Sequence, residues 1–273
     1  QDWTNLPNIP ADFSDNIDDV DDADADATNE LQTLSVSAAG DTLYLQNGGF
    51  VIIPGISVAN ASGGGGGTYP TGSVFCASGA TAIIDVTNPT TGAIWMDRNL
   101  GATQAATSST DVDAYGDLYQ WGRFSDGHQC RTSNTTATLS STDQPAHGDF
   151  ILGLNSPYDW RSPQNDNLWQ GVNGTNNPCP SGYRIPTEAE LEAERLSWSS
   201  NGSAGALVSP LKLPLAGGRN SSNGSLNDVG LFGFHWSSTV SGANSRYLNF
   251  FSSIAIMSPT ERASGRSVRC LKD

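Results

Sequence analysis

The first 97 residues contain no lysine or arginine, yet they carry 13 carboxylates. Such a stretch cannot neutralise itself with internal ion pairs, so on its own it stays solvated unless a neighbour supplies contacts that outweigh the repulsion. From Arg98 onward, 15 acids face 13 bases. The chain is therefore two physical objects joined in line. Its formal charge of −15 argues against nucleic acid or an anionic membrane as a partner. No window approaches the roughly 18 consecutive apolar residues of a spanning helix, so no membrane insertion is expected.

Residues 1–30 hold ten acids and two prolines, with too little apolar surface to offset chain entropy. Asp22, Asp24 and Asp26 alternate as at the opening of a calcium loop, but the motif lacks its glycine and its closing glutamate. A solvated acidic run is the reading, bound calcium is the alternative, and no other cofactor is expected. Residues 31–57 differ. LQTLSVSA and LYLQNG alternate around Ala39-Gly40-Asp41, and FVIIPGI follows Asn47-Gly48-Gly49, which predicts two or three short strands. A lone hairpin is marginal in water, so residues 1–60 are expected to form a homo-oligomer, as a trimeric stalk or a filament. Ser62 and the glycines 63–67 read as a linker. The expected division is an acidic assembly segment, 1–62, and a main domain, 69–273. Gln1 fits either a mature terminus left by signal-peptide removal or an arbitrary boundary.

In the main domain Gly, Asn and Ser punctuate short apolar stretches, and helix signals are few. Thr187 before EAELEAERLSW reads as an N-cap, with Glu190 at the capping-box position. A second, weaker signal lies between Asp113 and Gly122. The pattern predicts a loop-rich α+β domain with an aromatic core. Trp95, Trp121 and Trp236 are expected inside it, each indole N–H needing an acceptor. Arg98, Arg123, Arg184, Arg219 and Arg269 are expected to tie loops to carbonyls and carboxylates. The cysteines are Cys76, Cys130, Cys179 and Cys270. No CxxC pair occurs and His128, His147 and His235 are scattered, so a zinc site is not expected. An even count in such a chain favours disulfides and an oxidising compartment, with three pairings open; buried free thiols are the alternative.

Six segments occur in order: GAIWMDRNLGA (92–102), DLYQWGR (117–123), NPCPSGYRIPTEAELEA (177–193), LKLPLAGGR (211–219), GLFGFHWSST (230–239) and SGRSVRCLKD (264–273). Together they resemble the Fibrobacter succinogenes major paralogous domain, a bacterial surface module. The resemblance implies a C-type-lectin-like fold of the formylglycine-generating-enzyme type. It also implies that Cys179 bridges Cys270, leaving Cys76 and Cys130 to pair. The N-terminal segment resembles fibre and tail-fibre segments of Bacteroidetes and their phages.

Between HWSST and SVRCLKD lies SGANSRYLNFFSSIAIMSPTE, which shows no steady strand pattern. It resembles the Asn-rich stretches that retroelements diversify, after their adenines have been replaced. Phe251, Ile254, Ile256, Ser258, Pro259, Thr260, Glu261, Ser264 and Arg266 stand at would-be Asn positions, and Tyr247 and His235 join the set. These residues, His235 apart, are expected to expose their side chains together as the ligand-binding surface, because residue types typical of interfaces are carried there. Trp236, Val268 and Cys270 should be buried beneath them.

The function expected is an extracellular or cell-surface adhesin, or a receptor-binding head of a phage particle, that engages a cell-surface protein or glycan. The alternative is a structural filament subunit whose lectin-like domain is decoration. An enzyme is not expected: the resemblance commits the cysteines to disulfides, and no nucleophile motif accompanies the neighbours His147 and Asp149. Gln144-Pro145-Ala146 lacks the carboxylate of a calcium-dependent sugar site, so the implied fold does not by itself imply lectin activity.

Overall fold

The computed structural model describes residues 67–76 and 78–273, together with three strands between residues 34 and 52. The acidic run with Asp22, Asp24 and Asp26, and the glycines 63–66, lie outside the described residues. The chain forms two compact units, Gln1–Asn60 and Ala61–Asp273. In the first, β1 (Leu34–Val36), β2 (Thr42–Leu45) and β3 (Gly49–Ile52) form an antiparallel sheet in that order. Leu34 faces Leu45, and Leu45 faces Gly49.

The second unit is sheet-rich with few helices. Its strands begin with β4 (Asp85–Thr87), β5 (Ile94–Met96), β6 (Tyr119–Gln120), β7 (Thr135–Thr136), β8 (Phe150–Ile151) and β9 (Tyr183–Arg184). Helices α1 (Glu188–Leu196) and α2 (Ser203–Val208) follow, then β10 (Gly218–Arg219) and β11 (Leu226–Asn227). The chain continues with β12 (Gly233–Ser241), β13 (Asn244–Phe250), β14 (Ala255–Glu261), β15 (Gly265–Arg266) and β16 (Leu271–Lys272). The sheets are ordered β4-β5-β16-β9, β11-β10-β15-β6 and β12-β13-β14, with a parallel pair β7-β8.

Helix α1 starts where its capping box predicts. Thr187 accepts from the Glu190 N–H, and the Glu190 carboxylate accepts from the Thr187 N–H. Arg184 then grips Glu190 bidentately at 2.8 and 2.7 Å. The second expected helix is absent. Only a single 3-10 turn, Val112–Ala114, forms there, because Gly116 takes a φ of 68° and the chain then runs into β6. Helix α2 lacks a side-chain cap, which is why no sequence signal marks it.

The long meander β12-β13-β14 divides the core. Phe234, Trp236 and Tyr247 join one apolar cluster with Trp121, Trp160 and Trp169. Leu248, Phe250 and Ala255 join another with Trp95, Trp198 and Leu191. Trp95, Trp121 and Trp236 are fully buried, as expected. Trp121 donates to Ser237 O at 2.9 Å and Trp236 to Tyr119 O at 2.7 Å, whereas the Trp95 indole has no partner. Leu271 of β16 is bridged to the first cluster by its neighbour Cys270, since disulfides join Cys179 to Cys270 and Cys76 to Cys130.

All five framework arginines bond as expected. Arg98 pairs with Asp97, Arg123 with Asp126, Arg184 with Glu190 and Asp273, and Arg219 with loop carbonyls. Arg269 is buried entirely among neutral acceptors: Asn99 Oδ1 at 3.1 and 3.0 Å, Leu211 O at 2.6 Å and Met96 O at 3.2 Å. The same Asn99 oxygen lies 3.0 Å from His235 Nε2, and the Asn99 amide donates to Tyr115 O. Asn99→Ala would strand a buried guanidinium, an imidazole and a carbonyl together. The expected cost is about 3–5 kcal/mol, read by urea unfolding.

Three buried groups set the pH response. Burial, then Arg269, pulls His235 down to about 3; burial, then Arg123, pulls His128 down to about 4, with Asp126 opposing. Burial pushes Asp117 up to about 7, with Arg131 opposing. The neutral histidines therefore lose stability as pH falls below their ordinary value of about 6.5, whereas the Asp117 penalty grows as pH rises from about 4 towards 7. Between about pH 6 and pH 5 these leave a net loss near 1.4 kcal/mol per pH unit on acidification, and Asp117→Asn should roughly double that slope. Denaturant melts across this window check it; an unchanged slope would show that Asp117 does not titrate there.

Candidate binding surface

The segment expected to lack strand pattern is in fact a hairpin, β13 and β14. Alternation is invisible there because both faces of the sheet are covered near β12 and β13. The register sets Trp236, Tyr247 and Ser258 in one row and Phe234, Asn249 and Ile256 in the next, on one face. Leu248 and Met257 lie on the opposite face, towards the second cluster.

The ten expected surface residues divide by depth. Ile254 and Ile256 are 45% and 51% exposed, and Pro259 is exposed too. Phe251, Ser258, Glu261 and Arg266 are half-buried. Tyr247, Thr260 and Ser264 are buried, so the expectation that all ten face solvent together is corrected. Tyr247 belongs to the first core cluster. Thr260 lies on the same face of β14 as Ser258 and turns its hydroxyl onto Glu261 at 2.9 Å. Ser264 sits in the turn into β15, fixed through neighbouring Ala263, whose N–H reaches Tyr158 O and whose carbonyl accepts from Gln120. His235 is fully buried as well, within the Asn99 knot. Trp236, Val268 and Cys270 are buried as expected.

Behind half-buried Phe251 an aromatic ladder runs inward to the core. The ring of Phe251 lies 4.8 Å from Phe232, Phe232 stacks on Phe234 at 5.7 Å, and Phe234 meets Tyr247 at 5.9 Å. The Arg266 guanidinium lies 4.3 Å over Phe234 and 5.4 Å over Tyr247. Its Nε and Nη1 have no hydrogen-bond partner. Burial lowers the pKa of Arg266, while Tyr247, Glu261 and Asp228 act in the opposite direction. Gly218 makes this stacking sterically feasible: a Cβ there would stand 2.1 Å from Arg266 Nη1. Glu261 is held by Ser221 and Thr260. Leu231, next to Phe232 in the chain, is 64% exposed. Ile254 closes the turn carrying Phe251, accepting its N–H at 2.9 Å.

On the other side of β14 a cleft of about 710 Å³ separates it from α1, lined by Glu188, Arg195, Arg246, Ile256 and Met257. Arg246 pairs with Glu188 across it. Sequence reasoning missed Leu231, Phe232 and Arg246, since the first two sit inside a frame motif and the third has no motif at all. His147 and Asp149 lie 3.7 Å apart and are both substantially exposed. Exposed apolar groups such as Leu231, Ile254 and Ile256 can supply hydrophobic contact to a ligand, whereas the unpaired Arg266 nitrogens are themselves buried.

Depth predicts tolerance. Ile254→Ser and Ile256→Ser should each leave stability within about 0.5 kcal/mol, whereas Tyr247→Ala should cost about 3–5 kcal/mol. Thermal unfolding of the three variants separates the two classes. No protein-family model, curated protein or solved structure matches the chain.

Proposed function

We propose that the protein is an extracellular binding protein, an adhesin or receptor-binding head, whose second unit presents the β13–β14 hairpin to a cell-surface protein or glycan. The carrying observation is the exposed set Leu231, Ile254 and Ile256 beside half-buried Phe251 and Arg266, mounted on a sheet packed on both faces. Binding residues on a rigid frame lose little conformational entropy on association. Two disulfides fit an oxidising compartment, and no described helix is long and apolar enough to cross a membrane. The C-type-lectin-like fold, the kinship with the Fibrobacter module, retroelement diversification and self-assembly through residues 1–60 belong to this proposal, resting on the six ordered motifs and the acidic, basic-free first 97 residues.

The test uses the labelled full chain on a glycan array and on bacterial cells. A triple variant, Phe251→Ser with Ile254→Ser and Ile256→Ser, should lose at least about tenfold in binding while keeping its fold. Equal binding by that variant would remove the hairpin as the site. Absence of binding, with filaments seen by electron microscopy, would favour the structural-subunit alternative.

A further inference from the structure

A second pocket lies apart from the hairpin surface, where the chain crosses itself at residues 99–102 and 115–117. It is a cavity of about 390 Å³ lined by Ser78, Thr103, Asp113, Asp117, Arg131 and the Cys76–Cys130 bridge. Asp117 is 7% exposed. Its N–H is bonded to Leu100 O, but among the described residues its carboxylate accepts no hydrogen bond and forms no ion pair. A carboxylate in that position is costly, and an isosteric amide would avoid the charge.

Arg131 favours the ionised carboxylate from nearby but forms no salt bridge with it. Arg131 donates to Gly116 O at 2.7 Å and to Ala216 O at 3.0 Å, with its guanidinium 5.4 Å over Tyr115. Two of the cavity hydroxyls are committed as donors elsewhere. Ser78 Oγ gives its proton to Gly101 O at 2.8 Å, and Thr103 Oγ1 gives its proton to Asp113 O at 3.2 Å. Both therefore offer only lone pairs to anything bound between them. The frame is rigid. Gly101 takes a φ of +82°, and a Cβ there would stand 2.2 Å from Asp117 Cγ.

We propose that this cavity binds a primary alkylammonium group, with Asp117 as its counter-ion and the Ser78 and Thr103 oxygens accepting its remaining N–H bonds. Three acceptors match the three protons of an ammonium. Exposed Val112 and the Cys76–Cys130 bridge provide apolar surface for the alkyl stem. Asp113 adds a second acid to the lining. The charged and titratable groups facing Asp117 are Arg131, Tyr119 and Asp113. Arg131 favours the ionised carboxylate, which is the form that binds.

The full chain is titrated with n-butylammonium chloride, following the Asp117 carboxyl carbon by NMR and the heat by calorimetry. Saturable binding is expected, at least about threefold tighter at pH 8 than at pH 6 because Asp117 must ionise. n-Butanol should not bind. Asp117→Asn should abolish binding without lowering the unfolding midpoint, and Ser78→Ala should weaken it severalfold. A parallel arm uses Nα-acetyl-lysine methylamide: tighter binding there points to a lysine side chain of a partner, and tighter butylammonium binding to a free amine. Undiminished binding by Asp117→Asn, equal binding of butanol, or no saturation up to about 0.1 M would overturn the proposal.

Discussion

A guanidinium without a carboxylate partner holds the second unit together. Arg269 carries its charge into a fully buried position and finds only amide and carbonyl oxygens, those of Asn99, Met96 and Leu211. Burial brings its pKa down to about 9, with Asp97 and Glu194 working against the shift from further away. Such a site tolerates little displacement, because each of the three acceptors comes from a different stretch of chain or a different atom of the same turn. Asn99 also fixes His235 on β12 and the carbonyl of Tyr115. The loop that frames the Asp117 cavity, the central meander and the segment between β15 and β16 therefore share one polar knot.

The central meander converts that rigidity into two kinds of surface position. Near their centres β12 and β13 are covered on both sides, so Tyr247 and Leu248 are both buried despite pointing in opposite directions. Only the edge strand β14 and the turn before it combine buried and open positions in one short stretch. Neighbouring residues there differ sharply in the freedom they have to change. Ala255 is buried beside exposed Ile256, and Thr260 beside exposed Pro259. Pro259 suits an edge, where the missing N–H costs no ladder bond on the open side.

The sequence made the parts with strong local chemistry legible. The Thr187–Glu190 capping box, the short strands β1, β2 and β3, the buried tryptophans and the arginine ties all follow from short-range rules. The disulfide pairing was carried by resemblance and agrees with the bridges present. The β13–β14 hairpin was illegible for a physical reason: period-two patterning needs one wet face, and this sheet has none near its centre. Exposure at Tyr247, Thr260 and Ser264 was misjudged on the same account. Asp117 sat inside a recognised motif, DLYQWGR, and nothing in its neighbours announces that its carboxylate lacks a donor. That becomes visible only when the Gly101 loop is seen packed against it.

Strand order has a consequence for the timing of folding. In the sheet β4-β5-β16-β9, β16 lies between strands made much earlier. Leu271 pairs with Trp95 on one side and Arg184 on the other. β15 likewise lies between β10 and β6. Neither sheet can close before residues 265–272 have left the ribosome, so the earlier strands must wait for partners that lie far along the chain. Closure of this unit is thus a single late event, in which two short strands lock sheets whose other members were made long before.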